Sequence, residues 1–72
     1  MVVIDARQME PPEPFERVME ALATLAPGDS IRMLIYREPT PLYRVLRENG
    51  YRHRTELSAA EGCFVIEITA AP

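Results

Sequence analysis

The sequence predicts an α/β two-layer sandwich of order β-α-β-α-β-β, with two helices on one face of a four-stranded mixed sheet. Three observations predict it. Four short segments are β-branched or alternate apolar with polar residues, and two others repeat apolar residues at helical spacing. The helical segments follow the first and second strand segments, each behind a proline-rich junction. The first two strands are then parallel, and right-handed crossovers place both helices on the same face. Only residues 58–62 separate the last two strand segments, which makes them a hairpin.

The first strand is the run Val2, Val3, Ile4, ending at Asp5. Pro11, Pro12 and Pro14 forbid a strand ladder and restrict φ, so an extended approach into a helix is expected there. Phe15, Val18, Met19, Leu22 and Leu25 form the apolar stripe of that helix, with Glu13 and Glu16 opposing the positive end of its dipole. Ala26-Pro27-Gly28-Asp29 stops it. Residues 30–36 alternate, with Ile31, Met33 and Ile35 on one face. Thr40 is expected as N-cap of the second helix, with Pro41 at its first position. Leu42, Val45 and Leu46 make its stripe, and Asn49-Gly50 is a left-handed stop. Residues 51–57 carry Arg52, Arg54 and Glu56, which suits a charge-blunted edge strand. Residues 63–69 are nearly apolar on both faces, with Glu67 the one charge, and suit an interior strand, leaving residues 70–72 as a fraying tail.

Composition bounds the chemistry. With 72 residues, 47% of them apolar, the chain has room for one domain over residues 1–72. Such a chain buries about 60% of the surface its unfolded form exposes, so the core is thin. The longest apolar stretches are a few residues, against roughly 20 needed to cross a bilayer, so no membrane span is expected. Met1 leads into a strand and Asp5 instead of a signal core, and the reading is a cytoplasmic protein. One cysteine, Cys63, forms no internal disulfide, and with His53 as the only other soft ligand no zinc site or cofactor is expected. The net charge of −3, from eight arginines and eleven acids, argues against nucleic acid as a partner. Arg44, Arg47, Arg52 and Arg54 do cluster, but Glu48 and Glu56 dilute their field.

Asp5-Ala6-Arg7 followed by Pro11-Pro12-Glu13-Pro14 resembles the TusA/SirA-type sulfur carriers, in which an Asp-x-Arg-Gly element precedes Cys-Pro-x-Pro. The resemblance covers about residues 2–69, including the Pro27-Gly28-Asp29 turn. Two residues depart from the pattern: Gln8 stands in place of Gly, and Pro11 stands where the carriers have the cysteine that bears the persulfide. The chain is more similar still to the DUF2249 family, a TusA-like group. That similarity rests on the Pro-Pro-Glu-Pro-Phe-Glu approach to the first helix, the Leu-x-Pro-Gly turn and Glu38-Pro39 before the second helix. It implies the TusA-like fold, a lineage shared with the sulfur carriers, and a redox or nitrogen-oxide context. Many members have a histidine just before the Glu-Pro element, whereas this chain has Tyr36-Arg37.

The candidate surface lies at the C-terminal ends of the two parallel strands, where open α/β sheets bind ligands. Arg7, Glu10, Pro11, Pro12, Arg37 and Glu38 are its expected residues. The plainer reading of the charges is two local Arg-Glu pairs that orient the loops. The prolines remove amide donors, leaving guanidinium groups to recognise an anion, and a rigid polyproline segment offers a docking surface at small entropy loss. The leading reading is a non-enzymatic TusA-like binding or adaptor module for a protein partner or a small anionic ligand. Two alternatives are sulfur transfer through Cys63 and RNA binding through the arginines of residues 44–54. The latter draws on a likeness to the C-terminal domain of translation initiation factor three. Cys63 reads more simply as a small buried hydrophobe, and His53 as a lone surface histidine.

Overall fold

The computed structural model describes residues 1–70, and the six elements follow the order that the sequence predicts. They are β1 (Val2–Asp5), α1 (Glu13–Ala23), β2 (Ser30–Ile35), α2 (Thr40–Glu48), β3 (Tyr51–Ser58) and β4 (Cys63–Ala70). The strands lie side by side as β1-β2-β4-β3. β1 is parallel to β2, and β4 runs antiparallel to both its neighbours. The doubly apolar strand is therefore interior and the charged one is an edge.

Strand alternation sorts the side chains. Ile4, Ile31, Met33, Ile66 and Ile68 share the helix-facing side, where Val18 and Leu22 of α1 and Leu42 and Leu46 of α2 close over them. α1 packs over β1 and α2 over β3. Among the described residues the opposite face has no second layer, and Leu34, Cys63 and Val65 are its buried residues. Among the described residues no polar or charged side chain is buried. Stability thus rests on apolar burial at about 25 cal/mol per Å².

Several details differ from the sequence reading, each for a local reason. The approach to α1 is a turn, not an extended segment: the Glu13 amide donates to the Glu10 carbonyl at 2.9 Å, and Pro12 sits at φ −94°, ψ 13°. Thr40 is the first residue of α2, and Pro39 is the N-cap, with no side-chain capping bond. The Leu42 amide, which a Thr40 hydroxyl would have capped, already donates to the Pro39 carbonyl at 3.0 Å. Tyr36 leaves β2 because the pairing with β4 ends at Ile35 opposite Phe64. Ser58 and Ala70 are strand residues, paired with Cys63 and Tyr51, so the hairpin loop is shorter and Ala70 does not belong to a fraying tail. Ala71 and Pro72, the rest of the expected tail, lie outside the described residues. Gly50 follows the Asn49 C-cap at φ +80°, the left-handed stop that the Asn-Gly pair predicts.

Candidate ligand-binding cleft

Both strand-to-helix junctions open at the C-terminal ends of β1 and β2, and between them lies a cleft of about 490 Å³. Met33 and Ile35 of β2 contribute to its lining, together with Met9 and Phe15 from the first junction and helix. The ladder continues one step beyond β1, as the Ala6 amide donates to the Leu34 carbonyl at 2.8 Å. That bond holds the start of the first junction beside β2. Phe15 is 40% exposed, so this aromatic is only partly used by the core.

The structure brings Arg7, Pro11, Pro12, Arg37 and Glu38 to this cleft, whereas Glu10 is absent from the lining. The expected local Arg7–Glu10 and Arg37–Glu38 pairs do not form. Arg7 instead clasps Asp5 through Nε to Oδ1 at 2.9 Å and Nη2 to Oδ2 at 2.7 Å, and its Nη1 lies 3.8 Å from Glu61 Oε2. The register explains the choice. Asp5 stands opposite Leu34, on the face away from the helices, and the guanidinium follows it toward the β3–β4 hairpin. Hydrogen bonds from Arg7 lower the Asp5 carboxyl to a pKa of about 2, and the pair raises Arg7 further above its already high value. Arg37 is exposed and has no hydrogen bond or ion pair among the described residues.

Backbone donors are few at the two helix starts beside the cleft. Pro11, Pro12, Pro39 and Pro41 have no N–H, and the amides of Glu13, Glu16, Thr40 and Leu42 already donate to backbone carbonyls. Glu38 is also engaged, accepting from the Tyr43 hydroxyl at 3.1 Å. Tyr43 shares its oxygen with Thr55 Oγ1 at 2.6 Å and stacks on His53, with ring centroids 4.2 Å apart and planes 4° from parallel. Burial raises the Tyr43 phenol above its ordinary pKa; Glu38 adds to this and the Thr55 hydrogen bond opposes it. His53 is therefore a half-buried packing partner of α2, not the lone surface histidine of the sequence reading.

Cys63 is 2% exposed on the face of the sheet without helices. The arginines of residues 44–54 divide between two layers. Arg44 and Arg47 are exposed on α2, with Arg44 Nε 3.3 Å from Glu48 Oε2. Because His53 faces α2, the alternating Arg52 and Arg54 project from the opposite face, where Glu67 stands in register between Arg32 and Arg54. Among the described residues no three His, Cys, Asp or Glu side chains form a metal-holding group. No helix there is long and apolar enough to cross a membrane.

The sequence reading missed Met9, Phe15, Met33 and Ile35 as cleft residues, because helical and strand spacing assigned three of them to the core. Met9 carried a usable signal: it is apolar, sits among charges and prolines, and lies outside every predicted element.

The model of an uncharacterized conserved protein family, DUF2249, matches residues 3–70. The chain belongs to this family. The DUF2249 chain also superimposes on the crystal structure of a SirA-like protein from Desulfitobacterium hafniense with a TM-score of 0.85, at 25% sequence identity and covering 100% of each chain. No curated protein matches it. The DUF2249 domain is thus a small SirA-like fold related to the sulfur carriers. Pro11, which the resemblance sets at the carrier-cysteine position, lines the cleft.

Proposed function

We propose that this DUF2249 domain is a non-enzymatic binding or adaptor module that recognises a protein or a small anionic ligand at the strand-end cleft. The cleft itself carries the reading. It is concave, largely apolar and rimmed by a few charged groups, at the edge where parallel strands deliver two loops. The residue that would give a carrier its chemistry is a proline here, so the frame retains the place and loses the nucleophile. The family resemblance adds a redox or nitrogen-oxide setting to the proposal.

Less supports the rivals. Sulfur transfer through Cys63 needs an accessible thiol, and this one is covered. RNA binding through Arg44, Arg47, Arg52 and Arg54 needs cations aligned on one surface, and these occupy two.

The test is chemical-shift mapping with whatever co-purifies from the native host. Perturbations should fall in residues 6–15 and 36–42, and Arg7→Ala and Arg37→Ala should weaken binding while leaving amide dispersion intact. Arg37 acts there as a direct contact, and Arg7 acts by holding its loop against Asp5. Perturbations confined to β3 and the outer end of β4 would mean that another surface binds.

A further inference from the structure

We infer that the cleft takes a small monocarboxylate with an apolar body, its carboxylate paired with Arg37; this rests on the reading of the cleft as the binding site. Four features of the cleft select that chemistry. Its volume of about 490 Å³ lies within the range of roughly 300–1,000 Å³ that encloses small organic ligands. Its lining includes the Met9 thioether and the part-exposed ring of Phe15, surfaces that adapt to a hydrocarbon but give nothing to a polar ligand, over a floor that the buried Met33 closes.

The third feature is the small number of amides that the two helix starts leave for an anion. Phosphate sites at helix N-termini use several backbone N–H groups pointing at one anion. Here prolines occupy the first turn of α1 and of α2, and the Glu13, Glu16, Thr40 and Leu42 amides are already bonded to carbonyls. The helix starts therefore do not converge several amides on one anion, as a phosphate site does.

The fourth is the count of available charge. Arg7 is neutralised by Asp5 in a bidentate pair and lies near Glu61, whereas Arg37 is exposed without a partner among the described residues. Next to it, Glu38 is a carboxylate held by Tyr43, which repels a second negative charge. One guanidinium fork beside one carboxylate matches a single carboxylate and disfavours a dianion. An exposed Arg37 also keeps the anionic head at the rim, in water, while the apolar body enters the cleft.

The experiment titrates the ¹⁵N-labelled chain with decanoate below its aggregation range, with decanol, and with inorganic phosphate. Decanoate should give saturable shifts in residues 6–15 and 36–42, decanol weaker ones, and phosphate none. Arg37→Ala should weaken decanoate about tenfold to a hundredfold, the range for losing a hydrogen bond to a charged group, and Arg37→Lys should recover part of it. Because Arg37 is exposed outside β2 and α2, both variants should keep the parent spectrum elsewhere. No saturable shift from decanoate, or affinity unchanged in Arg37→Ala, would overturn the inference. If decanol or phosphate binds in the cleft more tightly than decanoate, the carboxylate assignment fails and the cleft survives as the binding site. Shifts centred on Arg52, Arg54 and Glu67 would overturn both.

Discussion

Cys63 should resist a thiol reagent until the strand that carries it opens. Its side chain is 2% exposed at the first residue of β4, paired with Ser58 of β3, so a reagent larger than water has no route to sulfur in the closed sheet. For 72 residues, about 0.05 to 0.15 kcal/mol per residue gives a global stability of ~4 to 11 kcal/mol. At about 1.4 kcal/mol per factor of ten, the lower figure leaves sulfur accessible in roughly one molecule in a thousand. Fraying of the hairpin end offers a cheaper route, which brings the expected slowing relative to the unfolded chain to at least about 100-fold. The assay is absorbance-monitored reaction with a chromogenic disulfide, in native buffer and in denaturant. Labelling that accelerates with urea along the unfolding slope reports global opening, and a flat dependence reports fraying. Rates within about tenfold of each other would refute the reasoning, since local opening on that scale is near zero free energy. The companion measurement is intact mass after incubation with a cysteine desulfurase and a sulfur source. A stable gain of one sulfur, absent in Cys63→Ala, would restore the carrier hypothesis.

Leu46→Ala should cost about 2 to 5 kcal/mol, because Leu46 has no exposed surface and only Leu42 accompanies it as a buried anchor of α2. Leu57→Ala, at a side chain 69% exposed on the same side of the sheet, should stay within about 0.5 kcal/mol, and equal urea midpoints would contradict the packing described. Asp5 makes stability pH-dependent with a known sign. Its folded pKa of about 2 lies below the unfolded value, so the unfolded chain binds the proton first and the contribution falls as pH drops from about 4 toward 2. Asp5→Asn should flatten the acid limb in that window, and an unchanged limb would show that the Arg7 clasp does not persist in solution. A single-stranded RNA should bind no tighter than millimolar at physiological salt, given arginines on two surfaces and a net charge of −3. Micromolar, salt-sensitive binding lost in Arg52→Ala with Arg54→Ala would reverse that conclusion.

Local physics explains why the element order was legible. The apolar stripe Val18 and Leu22 repeats at helical spacing, Ile31 and Met33 at strand spacing, and both buried sets are those that the repeats pick out. β4 announced an interior position by being nearly apolar on both faces, and β3 an edge by its charges. Parallel pairing of β1 and β2 follows from a crossover helix, and that alone places two loops at one edge.

By itself, then, the sequence determined the β-α-β-α-β-β order and the edge at which Arg7, Pro11, Pro12, Arg37 and Glu38 meet. The tertiary structure alone decided which of those groups is available. Arg7 chose Asp5 and Glu61 over Glu10, since an ion pair forms with the nearest carboxylate in space and Asp5 lies on the same face of the sheet. It also decided that Met9, Phe15 and Met33 border a cleft, and that Arg44 and Arg47 are separated from Arg52 and Arg54 by the thickness of the sheet. Periodicity is a property of one segment and reports which side of it is apolar. How much of that side a neighbour covers depends on where two junctions end, and that distance is set only when the whole chain packs.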